Sequence, residues 1–430
     1  MNKIIMTGVD EEIYHEKLDN GLNIYIYKKE GFLKKGAYFV TKYGSAINDF
    51  KPIKEDKIRS FPKGIAHFLE HKLFESEDNE KVFDKFKKYG ANVNAYTNHF
   101  VTNYYFSTND NFYECLNELV NFVQSPYFTD ENVEKEKGII NQEINMTNDD
   151  VERFMFEEVF NLALVKNPNK YRTIGDKKNV SKITKEDLYK CYNTFYHPSN
   201  MILVIYGDVD VEKTISIVRE NQKLKTFNKK EKIEVKEFKE PVYVNKKYME
   251  LKRNITNPKI CVCYKFVIPK LDGEEKFKKS LFINFLMDMK FGGSTSFEKD
   301  LVKDGITKTG VSWTYSYFDD VILLFFEADV IDKDLFIKRI DEKLRENIFD
   351  KNIFELNKKS LLTMVVRSFD NPMSIGNSVQ GNIVKYGKII NNVYDIYKDY
   401  DFDEFTSNFN SLNFDNKSVL YVTNKEEKDA

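Results

Sequence analysis

The sequence predicts an α+β protein of two similar domains, each a mainly antiparallel sheet with helices packed on one face. Three observations predict it. The chain has 430 residues, beyond the size at which one hydrophobic core keeps growing. Its first half mixes strand-like and helix-like stretches, and its second half runs through the same coarse order again. A charged, irregular stretch containing Pro241 separates the halves. The expected division is a first domain over 1–225, a linker over 226–246 and a second domain over 247–430.

The elements follow in order. Leu22-Asn23-Ile24-Tyr25-Ile26-Tyr27 alternates like a half-buried strand and follows the turn signal Asp19-Asn20-Gly21. A second strand is expected at 36–43. A short helix then carries residues 65–74, and another is expected at 80–89, closed by Gly90. Residues 92–96 and 102–107 read as a hairpin. Helical patterns follow at 111–124, 131–146, 150–164 and 185–194. An apolar strand at 201–206 ends in Gly207-Asp208, and a helix at 211–221 closes the half. After the linker come a strand at 259–267, a helix at 276–289, a break at Gly292-Gly293, further strands and then helices.

Composition narrows the function classes. The chain is 41% hydrophobic and 15% aromatic, enough for sizeable cores. Lys+Arg 66 against Asp+Glu 68 leaves a net charge of −2, a balance that argues against a nucleic-acid or membrane-surface partner. No apolar run approaches the roughly 20 residues that span a bilayer. The N-terminal stretch soon turns acidic at Asp10-Glu11-Glu12, unlike a secretory signal, so the expected location is the cytoplasm. Four scattered cysteines (Cys115, Cys191, Cys261, Cys263) suit reduced thiols. Cys261 and Cys263, two apart in a strand, read as small apolar residues of one face rather than as a metal pair.

The chemistry concentrates in His67-Phe68-Leu69-Glu70-His71. On a helix, His67 and His71 lie one turn apart and reach one metal ion together. Glu70 sits between them in angle, where a carboxylate can take a proton from a water held by that metal. Ile65, Phe68, Leu69 and Leu73 form an apolar stripe; His67, Glu70, His71 and Phe74 cluster opposite it. Pro62-Lys63-Gly64 is the helix entry. Histidine is rare here, five residues in the chain, so two at ligand spacing around a glutamate form a strong signal. The competing reading is a pair of surface histidines on an amphipathic helix.

Zinc needs at least a third protein ligand. The helix expected at 131–146 offers Glu136 and Glu143, seven apart and sharing a face with Val133 and Ile140. A carboxylate within an apolar stripe is costly unless a cation compensates it. Glu143 is the expected ligand, and Glu136, two turns earlier, is placed to orient a histidine from behind. The competing reading is two solvated helix carboxylates.

A His-x-x-Glu-His helix followed about seventy residues later by Glu-x(6)-Glu resembles the pitrilysin/insulinase family of zinc peptidases. The likeness extends to Gly90-Ala91-Asn92-Val93-Asn94-Ala95-Tyr96-Thr97, to Thr102-Asn103-Tyr104-Tyr105-Phe106, and to Tyr196-His197-Pro198-Ser199-Asn200-Met201 with Gly207-Asp208. Asn20-Gly21-Leu22 and Gly44-Ser45 also fit. It is dense over about 18–215 and thin afterwards. The resemblance implies a zinc metalloendopeptidase with one zinc ion per chain. It implies His67, His71 and Glu143 as ligands, Glu70 as the base and Glu136 as the supporting carboxylate. It also implies that Asn94, Ala95 and Tyr96 form the edge strand that pairs with a peptide substrate's backbone.

One departure stands out. Family members active as single chains or homodimers carry Arg and Tyr seven apart after a glycine-serine turn in the second domain. Phe291-Gly292-Gly293-Ser294-Thr295-Ser296 resembles that turn, but Leu301-Val302-Lys303-Asp304-Gly305-Ile306-Thr307-Lys308 lacks both residues. None of Arg253, Arg339, Arg345 and Arg367 has Tyr seven positions later. Lys303 and Tyr315 are the nearest substitutes, at the wrong spacing. The resemblance therefore implies a heterodimer, rather than a homodimer, in which a second family subunit donates the pair. It also implies that paired chains enclose a hollow chamber suited to short or unfolded peptides. Two other classes stay open: a non-catalytic peptide-binding or scaffold subunit, and a domain that zinc merely stabilises.

Overall fold

The structure, a computed structural model, describes residues 1–77 and 81–425. The chain forms two compact units, each drawn from separate stretches. The first comprises Met1–Asn145, Tyr171–Glu237 and Met364–Tyr394; the second comprises Met146–Lys170, Phe238–Thr363 and the residues from Asp395 onward. One crossing, at Glu237/Phe238, falls inside the expected 226–246 linker. The others fall at 145/146, 170/171, 363/364 and 394/395.

In the first unit, among the described residues, β1 (Asn2–Met6), β2 (Glu11–Lys17), β3 (Asn23–Lys28), β4 (Lys35–Thr41), β7 (Asn92–Thr97), β8 (Thr102–Thr108) and β9 (Met201–Gly207) form one sheet in the order β1-β2-β3-β9-β4-β8-β7. All its pairs are antiparallel except β3 with β9. A small ribbon, β5 (Asp49–Phe50) with β6 (Arg59–Ser60), stands apart. Helices α1 (Ile65–Lys72), α2 (Val82–Lys88), α3 (Phe112–Val123), α4 (Asp130–Asp149, its last turn in the second unit), α6 (Lys177–Val180), α7 (Lys185–Phe195) and α8 (Val211–Lys223) belong here. The expected start of α2 at Glu80 lies outside the described residues.

Strand alternation splits the packing into two cores. Ala37 and Phe39 of β4 join Leu69 of α1, Leu116 of α3 and Ile140 of α4 on one face. Tyr38 and Val40 point the other way, onto Ile375, Val379 and Ile383 of α13 (Pro372–Tyr386). Helix α13 comes from the far end of the chain and adds a layer on the second face of a sheet otherwise built as expected.

The second unit contains α5 (Val151–Ala163), β10 (Tyr248–Arg253), β11 (Lys259–Val267), α9 (Gly273–Phe291), α10 (Phe297–Lys303), β12 (Ser312–Tyr317) and β13 (Val321–Asp329). It continues with α11 (Lys333–Arg345), most of α12 (Lys351–Ser368), α14 (Val393–Asp399, from Asp395 onward), α15 (Phe402–Asn410) and β14 (Lys417–Asn424). Its sheet order is β10-β14-β11-β13-β12, with only β10 and β14 parallel. This repeats β3-β9-β4-β8-β7 strand for strand and direction for direction, so the duplication expected from the order of elements is present in the topology. Cys261 and Cys263 are buried with Leu323, Phe325 and Leu420 against Met155, Val159 and Phe160 of α5. That is the apolar role read for them. All four cysteines are free thiols.

The duplication has a twist. Helix α5 packs on β10, β11 and β14, and α13 packs on β3, β4 and β9, the matching strands of the other sheet. Each sheet thus takes one covering helix from the opposite half of the sequence.

Candidate metal centre

Helix α1 begins abruptly because Gly64 adopts φ 89°. A Cβ there would lie 2.4 Å from the Ile174 carbonyl oxygen, so the entry tolerates only glycine. The predicted stripe is in place: Ile65, Phe68, Leu69 and Leu73 are buried in the core shared with α3 and α4. The opposite stripe therefore faces α4 and β7.

Glu136 and Glu143 project from α4, whose Val133 and Ile140 are buried as expected. Nε2 of His67 lies 3.8 Å from Oε1 of Glu143, and Nε2 of His71 lies 3.8 Å from its Oε2. One donor atom from each of these three residues falls within 4.8 Å of the others. Ligands about 2.0–2.1 Å from a tetrahedral zinc stand about 3.4 Å apart, so the donors need only a small closure. Two imidazoles and a carboxylate are also the donor set of zinc sites that keep a position open for chemistry.

Glu136 supplies the orientation. Its Oε1 accepts from Nδ1 of His71 at 2.9 Å, which leaves the Nε2 lone pair of His71 aimed at the cluster. Glu136 is nearly inaccessible, and Glu70 is only 7% exposed. Burial disfavours the charged His71 ring. The hydrogen bond that His71 donates to Glu136 and the charges of Glu136, Glu70 and Glu143 outweigh that and raise its pKa. Burial pushes the Glu70 carboxyl up, opposed by a Thr97 hydrogen bond and the nearby His71. Three carboxylates around two imidazoles are an excess of negative charge that a divalent cation would largely offset, so the residues present fit zinc.

The edge-strand residues divide. Among the described residues, the main chain of β7 lies at the edge of its sheet, paired on one side only, with β8. The Ala95 N–H is capped by Asn94 Oδ1 at 2.8 Å, which marks it as a donor that β8 does not use. The Tyr96 side chain turns to the other face of the sheet, where its hydroxyl accepts from Asn103 Nδ2 at 3.2 Å and Gln380 Nε2 at 3.0 Å. Tyr96 therefore contributes backbone to the edge and no side chain to the metal cluster.

Thr97, which motif reasoning passes over, does reach the cluster: its Oγ1 donates to Glu70 Oε2 at 2.7 Å. Strand parity was the available signal, since Thr97 shares a face with Val93 and Ala95, the face that packs toward α1.

In the second unit, α9 and α10 stand between β11 and β12 as α1 and α2 stand between β4 and β7. None of the five histidines is there. Leu301 is fully buried, Lys303 is exposed, and the Tyr315 hydroxyl accepts from Asn284 Nδ2 at 3.3 Å. Arg339 and Arg345 are engaged with Asp304 and Asp415.

Comparison with known proteins gives this arrangement its context. Residues 60–177 match the family described as insulinase (peptidase family M16), and residues 182–361 match the peptidase M16 inactive domain. A Bacillus subtilis (strain 168) protein named "Uncharacterized zinc protease YmfH" is 38% identical over 371 residues, 86% of each chain. A Rickettsia felis protein named "Uncharacterized zinc protease" is 29% identical over 204 residues, 46% of this chain and 47% of that one. An M16-like protein from Alicyclobacillus acidocaldarius superposes with TM-score 0.91 at 30% identity, covering 98% of this chain and all of that one. A Helicobacter pylori protease shares the fold with TM-score 0.82 at 18% identity, over 96% and 99% of the two chains. The resemblance read from the motifs is borne out, and the chain belongs to the insulinase family of peptidases, family M16.

Proposed function

We propose that this chain is a zinc metalloendopeptidase, one zinc ion per chain, that hydrolyses peptides or unfolded polypeptide segments in the cytoplasm. The observation that carries the reading is the convergence of His67, His71 and Glu143 beside the buried carboxylate of Glu70. A scaffold has no use for this set. Zinc, when bound, polarises the scissile carbonyl and lowers the pKa of a water to about 7.

The chain's own residues do the rest. His67 and His71 would hold the ion with Glu143, whose carboxylate oxygens stand 3.8 Å from their Nε2 atoms. Glu136 keeps the His71 ring in the ligating tautomer. Glu70 keeps Oε2 in the Thr97 hydrogen bond, takes the water's proton at Oε1, and returns it to the departing amine nitrogen. An extended substrate joins β7 as an added strand. Its carbonyl replaces Asn94 Oδ1 on the Ala95 N–H, so recognition is of main chain and tolerates many sequences.

The second half of the sequence has no Arg with Tyr seven positions later, and stabilisation of a developing oxyanion is typically worth a few kcal/mol. We infer that a second family subunit supplies the pair. A second copy of this chain would repeat the omission, so the partner is a different chain.

The test is hydrolysis of a quenched-fluorescent peptide library by the purified chain, alone and with its co-purifying partner. Glu70→Gln and a chelator serve as controls. Cleavage lost in both controls supports the reading, and cleavage that survives Glu70→Gln overturns it. Full activity of a strictly monomeric or homodimeric preparation would remove the need for the partner.

A further inference from the structure

Behind Glu70 lies a chain of hydroxyls. Thr97 Oγ1 is 2.7 Å from Glu70 Oε2 and 3.2 Å from Thr102 Oγ1. Thr102, fully buried, donates to the Tyr43 carbonyl at 3.0 Å. The proton directions follow. An ionised carboxylate only accepts, and the one proton of Thr97 must therefore point at Glu70. Thr102 gives its own proton to the Tyr43 carbonyl and asks nothing of the Thr97 proton. Glu70 Oε1 makes no hydrogen bond among the described residues, so Thr97 is the single hydrogen-bonding restraint on that side chain.

Thr97 is also the last residue of β7, paired with Thr102 across the hairpin. Two residues before it stands Ala95, whose N–H is turned away from β8. The strand edge and the grip on Glu70 belong to one strand, with Thr97 in register with Thr102 of β8 at its end.

From this we propose that Thr97 is the positioning residue for Glu70: through it, the strand that receives the substrate backbone also sets where the proton-accepting carboxylate stands. The proposal rests on the reading of Glu70 as the group that takes the water's proton. A free glutamate side chain visits several rotamers, and a charge-assisted hydrogen bond from a strand-anchored hydroxyl selects one. The two tasks meet at Thr97 because a substrate added along β7 stiffens the strand, and the hydroxyl with it.

The test compares Thr97→Val, Thr97→Ala and Thr97→Ser in the full chain with its co-purifying partner. Two readouts are used: crystal structures of the zinc-loaded proteins, and kcat and KM on a quenched-fluorescent peptide. Val keeps the β-branched shape and removes the hydroxyl, Ala guards against an effect of the added methyl, and Ser restores the donor. The expected result is a displaced or disordered Glu70 carboxylate in the Val and Ala variants. Their kcat should fall by about tenfold or more, with KM within about twofold and the zinc content unchanged. Thr97→Ser should keep both position and rate. A Glu70 carboxylate in its parental place in Thr97→Val overturns the proposal, as does a Ser variant as impaired as Val. If the parent protein cleaves no peptide, the peptidase reading fails, and the carboxylate positions alone decide whether Thr97 positions Glu70.

Discussion

His71 and Glu136 are joined by a 2.9 Å contact between Nδ1 and Oε1, and that contact decides which ring nitrogen of His71 faces the metal cluster. Glu136 sits nearly inaccessible on α4, two turns before Glu143, so one helix provides both a ligand and the group that orients another ligand. Glu136→Ala should weaken zinc binding by about 10–100-fold while leaving the secondary structure unchanged. Competition against a zinc-sensitive dye gives the affinity.

Glu70→Gln should separate metal binding from chemistry. The substitution keeps the shape and the Thr97 contact but not the basicity. Zinc content should stay at one per chain while the hydrolysis rate falls by about 10²–10⁴-fold. Metal analysis beside a peptide assay checks both halves of the statement.

Chelation should silence the protein without unfolding it. The core around α1 is closed by Ile65, Phe68 and Leu69 packing on α3 and the sheet through apolar side chains that hold no metal. Circular dichroism should be unchanged after metal removal, and activity should return with added zinc. Loss of structure on chelation would indicate a structural zinc domain instead.

Glu240 is a stability prediction remote from the chemistry. Its fully buried carboxylate accepts from the backbone N–H groups of Val165, Lys166 and Asn167, each at 2.7 Å, and from Lys265 Nζ at 2.6 Å. Burial pushes this carboxyl up, but Lys265 and the three N–H donors outweigh it and hold the pKa below the ordinary range. A lowered carboxyl contributes stability that is fully present above the unfolded value near 4.5 and is lost as pH falls through the folded one. Glu240→Gln should cost about 3–5 kcal/mol by leaving Lys265 buried without its counter-charge. It should also flatten the acid limb of stability against pH, as read by denaturant melts from pH 7 downward.

Ala95→Pro should test the edge strand. Proline is tolerated where a strand's N–H faces away from its neighbour, and it removes only the donor now capped by Asn94. The expected outcome is a raised KM for peptides with unchanged zinc content. An unchanged KM would exclude main-chain pairing at this position.

Much of the site was legible because it is local or periodic. His67, Glu70 and His71 lie within one helical turn, and Glu136 and Glu143 lie on one face of a helix marked by Val133 and Ile140. Thr97 was harder, since its role depends on a strand face and on how β7 leans toward α1. The partition of the chain was harder still. Met155, Val159 and Phe160 announce a buried helix at 151–163, but nothing in their spacing says which sheet they cover. The same holds for Ile375, Val379 and Ile383. Local periodicity reports that a face is buried, and long-range packing chooses against what.

The reciprocal loan of α5 and α13 bears on how this molecule comes off the ribosome. The sheet containing β3, β4 and β9 is complete once residue 207 has been synthesised, yet the helix that covers its second face starts at Pro372. For the intervening length of chain, Tyr38, Val40 and Val204 wait uncovered. Neither half can finish alone, so cutting the chain between 226 and 246 should release two fragments that each lack a layer, rather than two independently folding proteins. The two halves are committed to being made, and to maturing, together.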